Sequence, residues 1–424
     1  LTTIELTGAI LFGLALLHTF AAKAFETLAH RHPDHGGLFH LLGEVEVVFG
    51  FWAIILIIVM AFTNGGAAAT AYAETRQYGE PLFVFVVMVV AASRPVLDTA
   101  RRLLAGLARL APLRTELALV WLGLALVPLT GSLITEPAAM TLAALMLGPL
   151  IFRASVPEWR KYGALGVLFV NVSIGGTLTA YAAPPVLMVA TTWNWDSAFM
   201  AAHFGWKAAV AVLLNATGAS LLLRQHLTPP ETMSVPETEL GAGALPPIPW
   251  PVALVHLALL AGVVVLAHHP VLFLGLFLLF LGFTQAYERY QDPLIMKEGL
   301  LVGFFLAGLV LLGGMQQWWL QPIVANMRPL ALFFGALGLT ALTDNAALTY
   351  LGSLIDGMSS HAQYMLVAGA VVGGGLTVIA NAPNPAGVAL LRRGFDDESI
   401  GAVGLLLGAL APTAVAALAF LLLP

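Results

Sequence analysis

The chain carries the same two motifs twice. Thr135-Glu136-Pro137-Ala138-Ala139-Met140-Thr141 aligns with Thr343-Asp344-Asn345-Ala346-Ala347-Leu348-Thr349. Downstream, Gly175-Gly176-Thr177-Leu178-Thr179-Ala180-Tyr181-Ala182-Ala183-Pro184-Pro185 aligns with Gly373-Gly374-Gly375-Leu376-Thr377-Val378-Ile379-Ala380-Asn381-Ala382-Pro383. Both matches keep their order at nearly one spacing, about 200 residues, which chance rarely produces. The duplication divides the chain into halves, 1–223 and 250–424, joined by the polar, Pro-rich linker 224–249.

Composition names the solvent around those halves. Hydrophobic residues make up 59% of the chain and charged residues only 10%, with a mean hydropathy of +0.90. A soluble globule of this size needs far more charge on its surface. The many glycines and prolines inside apolar runs are tolerated in lipid, where neighbouring helices re-satisfy the freed backbone groups. A polytopic all-α membrane protein follows. A net charge of −5 without a dense basic tract argues against nucleic acid as a partner. Strand alternation of the lipid-facing barrel kind does not persist. Zero cysteines exclude thiol catalysis and thiolate metal sites. The N-terminal apolar run lacks a basic leader and a small-residue cleavage site, so it reads as a retained span.

Candidate spans lie near 4–29, 40–62, 81–93, 163–191, 203–223, 250–267, 271–287, 299–317, 364–391 and 399–423. Segment 115–151 fits no simple crossing. As one helix it would reach about 55 Å, against a hydrocarbon core of about 30 Å. Its middle, Thr130-Gly131-Ser132-Leu133-Ile134-Thr135-Glu136-Pro137, holds the breakers of a re-entrant tip. Segment 329–355 is interrupted in the same way at Thr343-Asp344-Asn345. Placing the basic residues on the cytoplasmic side puts both ends of the first hairpin inside and opens the second outward. Each half then holds five transmembrane helices plus one re-entrant hairpin, and the odd number of crossings inverts the second half. This is the inverted-repeat plan of secondary transporters, with discontinuous helices meeting at a midplane site. The linker is cytoplasmic on this reading, and Trp193, Trp195, Trp318 and Trp319 fall at outer ends.

Both hairpin tips carry an acid, Glu136 and Asp344. Desolvation favours the neutral carboxyl, whereas a helix N-terminus and a bound cation favour the charged one. A group poised between the two can hold either a proton or a metal cation, which is what cation/proton exchange requires. Hard oxygen ligands stand beside the acids in Thr135, Thr343 and Asn345, and around the other breaks in Asn171, Ser173, Thr177, Thr179, Thr377, Asn381 and Asn384. At Gly175-Gly176 and Gly373-Gly374-Gly375 the chain can unwind and turn carbonyls toward an ion. Ser and Thr in such helices also serve simply as packing contacts.

Lys207, inside span 203–223, is a possible counter-charge to a site carboxylate, with snorkelling as the alternative. Arg94 and Asp98 flank Pro95 and are candidates for a local ion pair. The loop holding His30, His32, Asp34, His35 and His40 admits a rival reading, a membrane metal-binding enzyme or sensor, although its spacing matches no zinc pattern. A nucleotide-driven pump is excluded by the lack of a P-loop. The leading expectation is a Na+/H+ antiporter working by alternating access, not an enzyme, with protons and Na+ competing for Asp344 and Glu136 assisting. The alternative within transport is a Na+- or H+-coupled carboxylate or oxyanion carrier. No cofactor is expected; Na+ is cargo, and lipid, Na+ and H+ are the partners.

The glycine-threonine breaks, the Pro184-Pro185 pair and Thr343-Asp344-Asn345 resemble the ion transporter superfamily, which includes NhaD-type sodium/proton antiporters, arsenite carriers and dicarboxylate or citrate carriers. Asp344-Asn345 is most similar to the sodium/proton antiporter branch. The resemblance implies hairpins reaching the midplane and a homodimer in which a scaffold supports a moving transport domain. It also implies a multi-pass protein of the bacterial inner membrane. The first tip departs from the pattern, with Thr135-Glu136-Pro137 where related carriers show Ser-Asn-Thr or Asp-Asn.

Overall fold

The computed structural model describes residues 2–227, 246–324 and 326–424, and among these no strand occurs. In the first half the principal helices are α1 (Thr3–Arg31), α2 (Val45–Asn64), α3 (Gly79–Ala91), α4 (Arg94–Leu110), α5 (Thr115–Leu124), α6 (Leu126–Ile134), α7 (Glu136–Ile151), α8 (Glu158–Gly175), α9 (Pro184–Trp193) and α10 (Trp206–Leu223). In the second they are α11 (Trp250–Val265), α12 (Pro270–Ala286), α13 (Met296–Gly313), α14 (Pro329–Thr340), α15 (Asn345–Ser353), α16 (Ser360–Gly373), α17 (Asn384–Leu391) and α18 (Ala402–Leu422). Prolines set many of the starts: α4, α7, α9, α11, α12, α14 and α17 each carry one in the first turn. There the absent N–H would have lacked a helical partner in any case.

Among the described residues, four helical segments are long and apolar enough to cross a membrane, or up to six if each of two bent pairs is one span. The four, Val47–Asn64, Ser197–Leu223, Met296–Gly313 and Ala402–Leu422, fall on expected spans. Segment 81–93 does not continue straight past Pro95, because α3 and α4 meet at a 62° bend. Within α4, Asp98 pairs with Arg102 at 2.8 Å. Segments 163–191 and 364–391 are both broken, into α8 and α9 and into α16 and α17.

The first hairpin has two discontinuities. α5 and α6 meet at a 44° bend, and α7 then folds back along α6. Its tip is narrower than the breaker-rich run 130–137 implies: Thr130 to Ile134 stay helical and only Thr135 separates the arms. Thr135 turns the chain with φ 74° and ψ 153°, a region that side chains rarely occupy and that costs of order 1–3 kcal/mol. In the second hairpin four residues, Ala341 to Asp344, separate α14 from α15, with Asp344 as the N-cap of α15.

Two apolar cores organise these elements, and each draws on both halves of the chain. One joins α5 to α10 with α16 and α18, burying residues such as Met140, Phe169, Val371 and Phe420. The other joins α1, α2 and α3 with α11, α12 and α13, around Phe49, Phe83, Phe273 and Leu309. α8 crosses α18 at close range, where a Cβ on Gly166 would lie 2.4 Å from the Gly408 carbonyl. Small residues admit such an approach, and van der Waals contact then substitutes for the hydrophobic drive that lipid does not supply. The hairpin arms sit between the cores: Ala138 belongs to one and Ala139 to the other. The first residues of α7 are thus held at the seam.

Candidate ion-binding site

The two broken helices unwind alike. α8 ends at Gly175 and α16 at Gly373, each is followed by a short 3-10 turn, and α9 and α17 resume at Pro184 and Asn384. Thr179 and Thr377 are both extended, at φ −126°, ψ 160° and φ −140°, ψ 167°. Each hydroxyl donates to the hairpin of its own half, Thr179 to the Ser132 carbonyl at 2.7 Å and Thr377 to the Ala341 carbonyl at 2.9 Å. The breaks press against the same hairpins. A Cβ on Gly175 would meet the Pro128 carbonyl at 2.5 Å, and one on Gly373 the Leu337 carbonyl at 2.5 Å. Between halves, α7 packs on α17 and α9 on α15. Ser173 Oγ bridges α8 to α16 by donating to the Val371 carbonyl at 2.7 Å.

Glu136 lies at the centre of this framework and is fully buried. Its Oε2 accepts a hydrogen bond from Asn381 Nδ2 at 2.8 Å, while Oε1 is buried without a hydrogen-bond partner. Gly176 leaves the room this carboxylate occupies, since a Cβ there would lie 2.5 Å from Oε1. Among the described residues no Lys, Arg or His forms a salt bridge with Glu136. Asp344 is half-buried and close enough to act electrostatically on Glu136. Its Oδ1 accepts from the N–H groups of Ala346 at 2.8 Å and Ala347 at 3.2 Å.

Around the two acids gathers a set of buried polar atoms without hydrogen-bond partners: Thr135 Oγ1, Glu136 Oε1, Asn345 Oδ1 and Nδ2, Asn381 Oδ1 and Asn384 Oδ1. Buried polar groups are almost always satisfied, and each orphan costs about 1–3 kcal/mol. Most of these orphans are oxygens. They come from both hairpins and from the second break, and they are linked through contacts already made. Asn384 Nδ2 donates to the Gly374 and Thr377 carbonyls at 2.8 and 2.9 Å, and a Cβ on Gly374 would meet Asn345 Nδ2 at 3.0 Å and Ser173 Oγ at 2.1 Å. Such a collection of acceptors suits a hard cation, which would satisfy several oxygens at once.

Other expected ligands are committed elsewhere. Asn171 is tied into helix packing, donating to the Leu124 and Val212 carbonyls and accepting from Asn215 at 3.0 Å. Thr177 and Thr343 donate back to their own chain at Ile174 and Leu339. A Cβ on Gly375 would run into Val170 at 2.4 Å, so this glycine serves the crossing of α16 with α8. Lys207 Nζ donates to the Tyr364 hydroxyl at 3.1 Å and lies over its ring, forming no salt bridge with Glu136 or Asp344. Trp195, expected at an outer end, is buried against Phe199 and Phe204. Of the histidine loop, the side chains of His30 and His40 lie outside the described residues, as does most of the linker; among those described, no three His, Asp or Glu cluster to hold a metal.

Ser132 had no place among the expected ligands. It caps the first break twice, Oγ donating to the Gly175 carbonyl at 2.7 Å and accepting from the Leu178 N–H at 2.9 Å. The only sign of it in the sequence is its position inside the breaker run of the first tip.

No curated protein matches this chain. Among solved structures, the YdaH transporter of Alcanivorax borkumensis, whose crystal structure is described as revealing an unusual topology, is similar at 15% identity over 89% of this chain and 96% of that one, with a TM-score of 0.49. Residues 3–423 match the family described as "Putative Na+/H+ antiporter", and the chain belongs to that family: it is an integral membrane protein and a secondary transporter, not an enzyme.

Proposed function

We propose that the chain exchanges Na+ for H+ at the Glu136 carboxylate, with Asp344 as the second acid and Thr135, Asn345, Asn381 and Asn384 supplying oxygens. The observation that carries this reading is the cluster of buried acceptors without donors around Glu136. A dehydrated Na+ would take those acceptors as ligands. A proton on Glu136 Oε1 would instead neutralise the buried charge, whose isolation in low dielectric is costly. Occupancy by one ion therefore disfavours the other, which is the coupling an exchanger needs. Two acids at one site would repel an anionic substrate, so electrostatics favours a cation.

The matched breaks, the matched hairpin ties and the reciprocal packing of α7 on α17 and α9 on α15 support two inverted repeats with alternating access around the site. The apolar seam between the two cores is the surface on which one body would move against the other.

Sodium-triggered dequenching of a pH-sensitive dye in proteoliposomes tests the reading. Wild-type protein is expected to respond, Glu136→Gln to lose the response at least tenfold, and Asp344→Asn to require more Na+. A silent wild type at every pH from mildly acidic to mildly alkaline would overturn the function, and an unaltered response in Glu136→Gln would overturn the site.

A further inference from the structure

Away from this site, an apolar groove of about 250 Å³ opens between α8, α10 and α18. Its walls include Val167, Leu214, Leu222 and Val415, and its floor is kept deep by glycines. At Gly163 and Gly218 a Cβ would meet nothing within 4 Å. One end is capped by Trp159 and Arg160 at the start of α8. Trp159 is exposed and lies under the Arg160 guanidinium, 5.0 Å from ring centroid to Cζ. Arg160 Nε and Nη1 are buried without a hydrogen-bond partner. The neighbouring acid, Glu158, pairs with Lys161 instead.

We propose that this groove binds an acidic phospholipid, one acyl chain lying along α10 and α18 and the phosphate meeting Arg160. An arginine with unused donors at the end of an apolar slot selects an amphiphile whose head is anionic and whose tail is apolar. The exposed indole beside it is the side chain that sits at headgroup level. The bilayer around a membrane-spanning chain presents such a molecule at high concentration. Because α8 ends at the Gly175 break, a lipid wedged beside it would brace the helix that shapes the ion site.

The test reads lipid retention and so stands apart from the exchange reaction. Purified full-length protein, exchanged into detergent with mixed phosphatidylglycerol and phosphatidylcholine, is analysed by native mass spectrometry. Wild type is expected to retain phosphatidylglycerol over phosphatidylcholine, and Arg160→Gln to lose that preference about tenfold, the loss of a charge-assisted contact. Gly218→Leu, which fills open space rather than displacing a neighbour, is expected to reduce retention of both lipids. Equal retention of the two lipids by wild type, or unchanged selectivity in Arg160→Gln, overturns the proposal. A single cysteine introduced as Gly218→Cys into this cysteine-free chain checks the other occupant: quantitative disulfide formation between copies in lipid-replete membranes would show a second chain covering the groove and overturn it too.

Discussion

The Glu136 carboxylate and the Asn381 amide meet at 2.8 Å, joining the tip of the first hairpin to the break of the second broken helix. Asn381 is the side-chain donor to Glu136, and its own Oδ1 is buried without a hydrogen-bond partner. Asn381→Ala is expected to destabilise the protein by about 1–3 kcal/mol, the penalty for a buried group left unpaired, read as a lower unfolding midpoint in detergent. Asn381→Asp sets a second carboxylate against the first, and two acids sharing a site resist joint ionisation. Its defect in exchange should therefore deepen as pH rises; a pH-independent defect would contradict the contact.

Thr135 holds a backbone conformation suited to glycine while presenting an unpaired hydroxyl. Thr135→Gly separates the two properties. Stability should rise by up to about 1–3 kcal/mol as the strain is released, whereas the Na+ concentration for half-maximal exchange should increase. Thr135→Ser is expected to keep the affinity and the strain.

Gly176 and Gly374 make room at matching positions, one for Glu136 Oε1 and the other for Ser173 Oγ and Asn345 Nδ2. Alanine at either position must displace a candidate ligand or a helix-crossing hydroxyl. Both variants should express and lose exchange by more than about tenfold, since an ångström of misplacement in a polar site is costly. Gly282→Ala, which meets open space on α12 away from both the site and the groove, serves as the control and should exchange normally.

Outside the spanning helices, Tyr72 donates its hydroxyl to the Leu311 carbonyl at 2.6 Å, and burial pushes the phenol up to about 12. Because the folded value exceeds the ordinary one near 10, this contribution to stability is complete below pH 10 and is lost as pH rises through about 12. Tyr72→Phe should lower stability at neutral pH by about 1 kcal/mol and flatten the alkaline loss, measured by thermal unfolding across that range.

The breaks were legible because they are local chemistry. Glycine pairs, Pro184-Pro185 and an acid following threonine interrupt an apolar run whatever packs beside them, and α8 and α16 end, and α7 and α9 begin, at those residues. The straightness of 81–93 was not legible, since the 62° bend after Ala91 depends on where α4 lies. Equally hidden was the division of labour among hydroxyls and amides. Thr179 and Asn381 look alike as oxygen donors in the chain, yet the first spends its proton on Ser132 while the second faces Glu136 with an oxygen to spare.

By itself, the sequence determined the membrane as solvent and the places where helices must break, because charge scarcity and backbone stereochemistry act residue by residue. Tertiary structure decided which polar atoms are satisfied and which are left open. Those partners come from elements as distant as Glu136 and Asn381, and only packing in a low-dielectric interior, where an unpaired oxygen cannot turn to water, makes the difference between a helix contact and a candidate ion ligand.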